Sequence, residues 1–510
     1  EDMENRFGCQ TEANALVAAI LKFRDTINTD IQFVRYKVLV GFESVFPDHW
    51  TNDKFELEGA DEYRSREATR YIDEINPESE NEWFNFIERC AKTKSDGLAT
   101  FPVYGNFINM LAARKPEVAL RLFARRSEEL RQFLPGLLNG LAKSSRPDIY
   151  AQIMESELEL AKDLSNIAYH LRKSDVEWPD FAIRLLKRAI EKDDQRAVTG
   201  CFLLALEHFG TGQVPDVDVF VQEALSFLND RENASWVSQG WFLEKAMKFY
   251  EGLTIERTVQ LLQNLGYVRK IDHRVERVLT RIAKHQLAAV WEHFGARLSK
   301  DAEDDDTIDY AERFEAIPFQ FHGLEKELSK NVALALTNGL SWFTKDQELF
   351  WFRGGRLLSI VFPNCTTEFA AALANLVRAG GDMEADFALA ILQNYDGVTS
   401  AHVVLKEIVS RFPDDQHKLN EIRVSIDNTG VVRGEFGFAE ALQARKADLT
   451  EWLTDERPAV KAFAKKHIAE LDLMIASERR RAESRREMRN RDYEEDDIES
   501  DNSIGSKGTQ

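Results

Sequence analysis

The chain of 510 residues carries 87 Asp and Glu against 66 Lys and Arg, a formal net charge of -21, so its overall field repels nucleic acid and anionic membranes and leaves either only a local basic patch. A hydrophobic share of 44% with 33 Phe and 9 Trp supplies a core, while 12 Pro and 26 Gly are too few for the turns of a sandwich or barrel. Cys9, Cys90, Cys201 and Cys365 are too dispersed for zinc ligation and too few for a disulfide scaffold, no apolar run is long enough for a bilayer, and no signal peptide opens the chain, so a reducing cytoplasm is expected. The first residue is Glu1 rather than an initiator Met, which suggests a piece of a longer protein.

In chain order, helical periodicity over Thr11 to Ile27 and Ile31 to Phe46 predicts an N-terminal hairpin in residues 1–50. Residues 51–82 are acidic and poor in large apolar side chains, an expected linker with a short helix. A first repeat block is predicted over 83–298. Pro116, Pro147, Pro179 and Pro215 open "PEVALRLF", "PDIYAQIM", "PDFAIRLL" and "PDVDVFVQ", each with an acid next and apolar residues two and six places on. Proline at the first helical position loses no hydrogen bond, the acid suits the positive end of the helix dipole, and the apolar pair marks one buried face. The starts lie 31, 32 and 36 residues apart, room for a helical hairpin, and Thr254 caps a fifth start at "TIERTVQLLQNLG". Hairpins that cannot bury their apolar faces alone stack, so the fold expected is all-α, an α-solenoid of HEAT-like or TPR-like hairpins. The tetratricopeptide pattern itself is absent and HEAT-like fits better.

"SKDAEDDDTIDY" in residues 299–312 lacks the glycine turn and terminal Glu of a calcium loop and reads as a solvated linker. A second helical block follows over 313–476. Within it "LSWFTKDQELFWFRGGRLLSIVFP" sets Trp342, Phe343, Phe350 and Trp351 beside Arg353 and Arg356, residue types that anchor protein interfaces. The same aromatics could instead fill the core between hairpins, with Gly354 and Gly355 ending a helix. "GVVRGEFGFAEALQARK" lacks the Lys and Ser or Thr of a phosphate loop, since Phe438 and Ala439 stand there, and reads as a connector offering Arg433 and Glu435 to a partner. Pro458 starts a further helix with Val460, Phe463 and Ile468 inward. Residues 477–510 give a charged terminal helix, seven arginines between Arg479 and Arg491 interleaved with Glu478, Glu483 and Glu487, and a disordered tail from about Ser500.

No hydrolase elbow, kinase signature, dinucleotide fingerprint or close histidine pair occurs; His285 and His293, if on one helix, stand two turns apart, too far to share a metal. No catalytic residue, metal site or cofactor is assigned.

The succession "AIPFQFHGLEKEL", "LFWFRGGRLLSIVFP", "VVLKEIVSRFPDD", "SIDNTGVVRGEFGFAEALQARK" and "WLTDERPAVKAFAKKHIAELDLMIASERRRAE" resembles the C-terminal helical-repeat regions of bacterial antiphage STAND NTPases, which are relatives of NLR receptors, and of similar multi-domain defence proteins. The likeness is best over residues 313–490. It implies a sensor or scaffold that binds a phage protein or a defence-complex subunit while an NTPase or effector domain elsewhere does the chemistry; this chain has no Walker motif, so ATPase activity is not expected of it. The function expected is a non-enzymatic scaffold or sensor with a protein partner and no membrane. The alternatives are a nucleic-acid-binding repeat subunit, using the arginine tail and the Arg353/Arg356 loop, and an enzyme whose site no motif marks.

Overall fold

The computed structural model describes residues 10–40, 57–93, 100–125, 127–174, 179–209, 217–300 and 313–505. Among them every regular element is helical, and no helix is long and apolar enough to cross a membrane. Two compact units divide the chain, Glu1–Ala246 and Met247–Gln510. Of the acidic stretch expected to separate two blocks, residues 301–312 lie outside the described residues, as do Pro215 and Cys9.

The first unit holds α1 (Gln10–Ile27), α2 (Ile31–Leu39), α3 (Leu57–Glu74), α4 (Glu80–Ala91), α5 (Thr100–Arg114), α6 (Pro116–Ala124), α7 (Leu134–Ala142), α8 (Pro147–Leu160), α9 (Leu164–Lys173), α10 (Pro179–Glu191), α11 (Gln195–Glu207) and α12 (Val217–Asp230). The helix of α3, 18 residues long, occupies much of the segment expected to be a linker. Pro116, Pro147 and Pro179 each take the first position of their helix. The second residue of each predicted apolar pair is buried, as Leu122, Ile153, Leu185 and Val221.

Helices of this unit pack in two rows. In one, α5 meets α7, α7 meets α9 and α9 meets α11; in the other, α6 meets α8 and α10 meets α12. Arg146 pairs with Glu117 across α6 and α8, and Arg184 pairs with Glu155 at 2.6 Å across α8 and α10. Both pairs join residues 29 apart, so the proline-started helices lie side by side in matching register. Where α5 and α7 cross there is no room for a side chain: a Cβ on Gly140 would stand 2.2 Å from the Asn109 carbonyl oxygen.

The second unit holds α13 (Ile255–Leu265), α14 (His273–Ala283), α15 (Leu287–Leu298), α16 (Val332–Lys345), α17 (Gly355–Val361), α18 (Thr367–Ala379), α19 (Asp382–Leu392), α20 (His402–Arg411), α21 (Gln416–Asp427), α22 (Gly437–Thr450) and α23 (Pro458–Gly505). The Thr254 hydroxyl accepts from the Arg257 amide at 3.3 Å and caps α13, whose Leu261, Leu262 and Leu265 are buried. Here too one row runs α15, α16, α18, α20, α23 and a second runs α17, α19, α21, α22. Three expectations are corrected. His285 lies in the turn between α14 and α15, so it shares no helix with His293. On α23 the buried stripe is Val460, Phe463, Ala464, His467 and Leu471, while Ile468 is half-buried, because a 3.6-residue period from Val460 reaches position 467 and misses 468. Finally, α23 continues to Gly505, past Ser500 where order was expected to end.

One local device recurs in both units. The last carbonyls of a helix have no partner within it, and here a side chain from a later element supplies the donor. Lys115 reaches the Ile75 carbonyl at 2.7 Å, Asn166 reaches Arg131 at 3.2 Å, and His208 reaches Arg172 at 3.1 Å. In the second unit Gln286 reaches Leu253 at 2.6 Å, Arg297 reaches Val268 at 2.8 Å, Tyr395 reaches Phe362 at 2.9 Å, Arg411 reaches Val377 at 2.6 Å, and Asn428 reaches Tyr395 at 3.2 Å. Apart from the 40-residue step of Lys115, these ties span 29 to 36 positions, the length of one hairpin.

Candidate partner-binding surface

The aromatic and arginine-rich segment lies in the second unit and divides between core and surface. Asn331 Oδ1 caps α16 by accepting from the Leu334 amide at 3.0 Å, and Asp346 caps the next turn through the Leu349 amide at 2.9 Å. That turn passes into five residues of π-helix, Phe350–Gly354, and on into α17. Gly354 and Gly355 therefore do not end a helix, contrary to expectation. A Cβ at Gly354 would meet the Phe350 ring at 2.3 Å, and one at Gly355 would meet the Ala390 carbonyl oxygen at 2.9 Å; glycine lets the ring fold back and α17 pack closely on α19.

Phe343 and Phe350 are each 2% exposed and meet Phe387, with ring centroids 5.3 to 5.7 Å apart. These two fill the core between hairpins. Trp342 is half-buried against Trp291 at 5.9 Å. Arg353 donates to the carbonyls of Leu298 and Lys300 at 2.9 and 2.7 Å, closing the end of α15. Arg356 donates to the Pro318 carbonyl at 3.4 Å and lies 5.9 Å from the Phe319 ring.

What remains outward is Trp351 at 38% exposure, Phe352 at 70% and Phe319 at 81%. Phe352 and Arg356 are four residues apart on continuous helix, so they share a face, and Arg356 in turn borders Phe319. The result is a row of two exposed aromatics with a guanidinium between them, Trp351 adjoining. Sequence reasoning missed Phe319, because "IPFQFHG" alternates apolar and polar residues and gives no sign of which Phe turns inward; Phe321 does, at 8% exposure.

Arg433 and Glu435 lie elsewhere in this unit, on the irregular connector between α21 and α22, where Gly430 and Gly434 adopt positive φ of 60° and 88°. Both are exposed, as is Val431 at 91%, and Glu435 pairs with Arg489 of α23. The structure does not join them to the aromatic row by any contact between described residues.

Several polar groups of the interior occupy one another. In the first unit His170 sits between Asn139 and Tyr150, and burial pushes its pKa down to about 4. Arg172 and Glu207 form a buried pair at 2.9 Å, joined by Lys173. In the second unit Lys418 is enclosed by Asp382, Asp386 and Asp415 at 2.8 to 3.2 Å, and His467 lies between Asp427 and Glu470. Burial pushes the Cys90 and Cys365 thiols up to about 12, far from a reactive thiolate. Among the described residues no group of three His, Cys, Asp or Glu side chains is arranged to hold a metal ion.

Comparison with known proteins returns no match: no family model, curated protein or solved structure is significantly similar to this chain.

Proposed function

We propose that the chain is a non-enzymatic α-solenoid of HEAT-like hairpins that binds a protein partner as a scaffold or sensor. The observation that carries this reading is the recurrence, about one hairpin apart, of side chains that close the carbonyl end of an earlier helix, together with the two-row packing within each unit. The exposed row of Trp351, Phe352, Arg356 and Phe319 supplies the anchor chemistry of an interface, aromatic area with an arginine in its midst. A cytoplasmic setting fits the free, buried Cys90, Cys201 and Cys365. Bacterial antiphage defence is the biological setting proposed, and it rests on the resemblance of residues 313–490 alone.

The test is affinity capture from lysates of phage-infected and uninfected bacteria, with the wild-type chain and a Trp351→Ala/Phe352→Ala variant. A protein held at high salt by the wild type and released by the variant supports the reading; a phage protein makes the chain a sensor, and a host subunit found equally in both lysates makes it a scaffold. Nucleic acid alone, lost steeply with salt, replaces this reading with the nucleic-acid one.

A further inference from the structure

The last helix, α23, is one uninterrupted rod whose charge changes sign along its length. From Arg479 to Arg491 the sequence holds seven arginines and two glutamates, Glu483 and Glu487; from Asp492 to Asp501 it holds seven acids and no base. The inner side of the basic stretch is marked by Ala482, 5% exposed, and by Arg489, which pairs with Glu435 of the connector. Steps of three and four residues keep returning to one side of a helix, and one such line lies about a quarter-turn from Ala482. It runs through Arg481, Arg485 and Met488, all exposed, Met488 at 56%. The same spacing carries it on to positions 492, 496 and 499, which the sequence fills with Asp, Asp and Glu. A single line of the helix thus reads basic, then apolar, then acidic.

The two halves cannot satisfy one another within one molecule. Arg485 and Asp496 stand about 16 Å apart along the axis, at 1.5 Å per residue, and an unbroken helix cannot fold back. Arg481 leans on Glu478 at 2.5 Å yet keeps 65% of its side-chain surface in solvent, and Arg485 makes no ion pair or hydrogen bond among the described residues. A purely acidic protein or a nucleic acid would match the basic half of the line and be repelled by the acidic half.

A second copy, turned end for end, matches both. An antiparallel pair about a two-fold axis between Met488 and Asp492 sets Arg481 against Glu499 and Arg485 against Asp496, and symmetry makes each contact occur twice. Met488 of each copy then falls beside the axis and gives the contact an apolar centre. We propose that α23 is a self-recognition surface, through which two copies of this chain pair antiparallel with the arginines of each on the acids of the other. An exposed ionic contact of this kind is weak and sensitive to salt. Nothing in it depends on the aromatic row, which stays open to a different partner.

The test is sedimentation of the full chain over a concentration series, at about 50 mM and about 500 mM salt, which differ about three-fold in screening length. The wild type is expected to pass from monomer to dimer at the lower salt and to associate about ten-fold or more weakly at the higher. Arg481→Glu/Arg485→Glu makes the line acidic throughout, and Asp492→Lys/Asp496→Lys makes it mainly basic; each should weaken self-association about ten-fold or more through like charges set face to face. Mixed together, the two variants should pair one to one, and a chain carrying all four changes should recover the dimer. Helical content and melting temperature are followed in each variant, and recovery in the four-change chain shows that neither pair acts by unfolding the helix. A chain that stays monomeric at low salt, whether or not nucleic acid co-purifies with it, overturns the proposal. So does a dimer indifferent to both reversals, or one that the four changes together fail to restore.

Discussion

The Tyr150 hydroxyl and His170 Nε2 stand 2.7 Å apart inside the first unit, and His170 Nδ1 is 2.6 Å from Asn139 Oδ1. With the amide oxygen accepting at Nδ1, the ring is a neutral tautomer that accepts from tyrosine at Nε2. One residue each from α7, α8 and α9 thus forms a continuous polar chain. Tyr150→Phe leaves Nε2 buried and unpaired, which is expected to lower stability by about 1–3 kcal/mol in chemical denaturation. A change within experimental error would mean that the chain carries no net stability.

The same histidine predicts acid sensitivity. Its pKa when folded, about 4, lies below the ordinary value of 6.5, so protonation favours the unfolded chain. The contribution is whole above pH 6.5 and is lost as pH falls toward 4, with a magnitude of about 3 kcal/mol. His402 in the second unit, also lowered to about 4 by burial first and by Lys406 and Arg445 next, acts in the same direction. Denaturation midpoints measured from pH 7.5 to 4.5 should fall, and a His170→Asn variant should show a shallower fall than wild type.

Two ion pairs of similar length should differ several-fold in worth. Arg184 and Glu155 keep 51% and 44% of their side-chain surface in solvent, so Arg184→Ala is expected to cost no more than about 1 kcal/mol. Arg172 and Glu207 keep 6% and 9%, and Glu207 accepts from Arg172 at two positions. Glu207→Gln leaves the buried guanidinium without its counter-charge, an expected loss of about 3–5 kcal/mol. Equal effects would show that burial does not set the scale.

Two glycine-to-alanine changes should differ in sign. At Gly140 the new Cβ meets the Asn109 carbonyl oxygen at 2.2 Å and the helices α5 and α7 must part, an expected loss of about 1–3 kcal/mol. At Gly59, in α3, nothing lies within 4 Å, and alanine should stabilise by about 0.5–1 kcal/mol through a less flexible unfolded chain. Thermal melting of both variants checks the pair.

Helix starts were the most legible part of the sequence. Pro116, Pro147, Pro179 and Thr254 mark their helices because the cues for starting a helix are local: a fixed φ, an acid in the first turn, a hydroxyl for an amide. Which aromatic faces solvent was not legible. Phe350 and Phe352 belong to one short run, yet their exposures are 2% and 70%, because the intervening π-turn and the Phe387 ring of a distant helix decide the matter. Helical period alone places His467 rather than Ile468 on the inner face of α23; what no local pattern announces is that Asp427 and Glu470 occupy its ring nitrogens there.

The side chains that close earlier helix ends also give each array a direction. Each reaches back, from Lys115 to Ile75, from His208 to Arg172, from Arg411 to Val377, from Asn428 to Tyr395. A hairpin is thus finished by its successor, while losing its predecessor leaves its own carbonyls closed. Fraying that begins at the trailing edge of a unit uncovers fresh, unsatisfied carbonyls on the hairpin before it and so feeds itself. Fraying from the leading edge strips away acceptors and leaves only solvent-ready side chains behind. Such an array should come apart like a zipper with one slider, opening from its C-terminal side and resisting from the other.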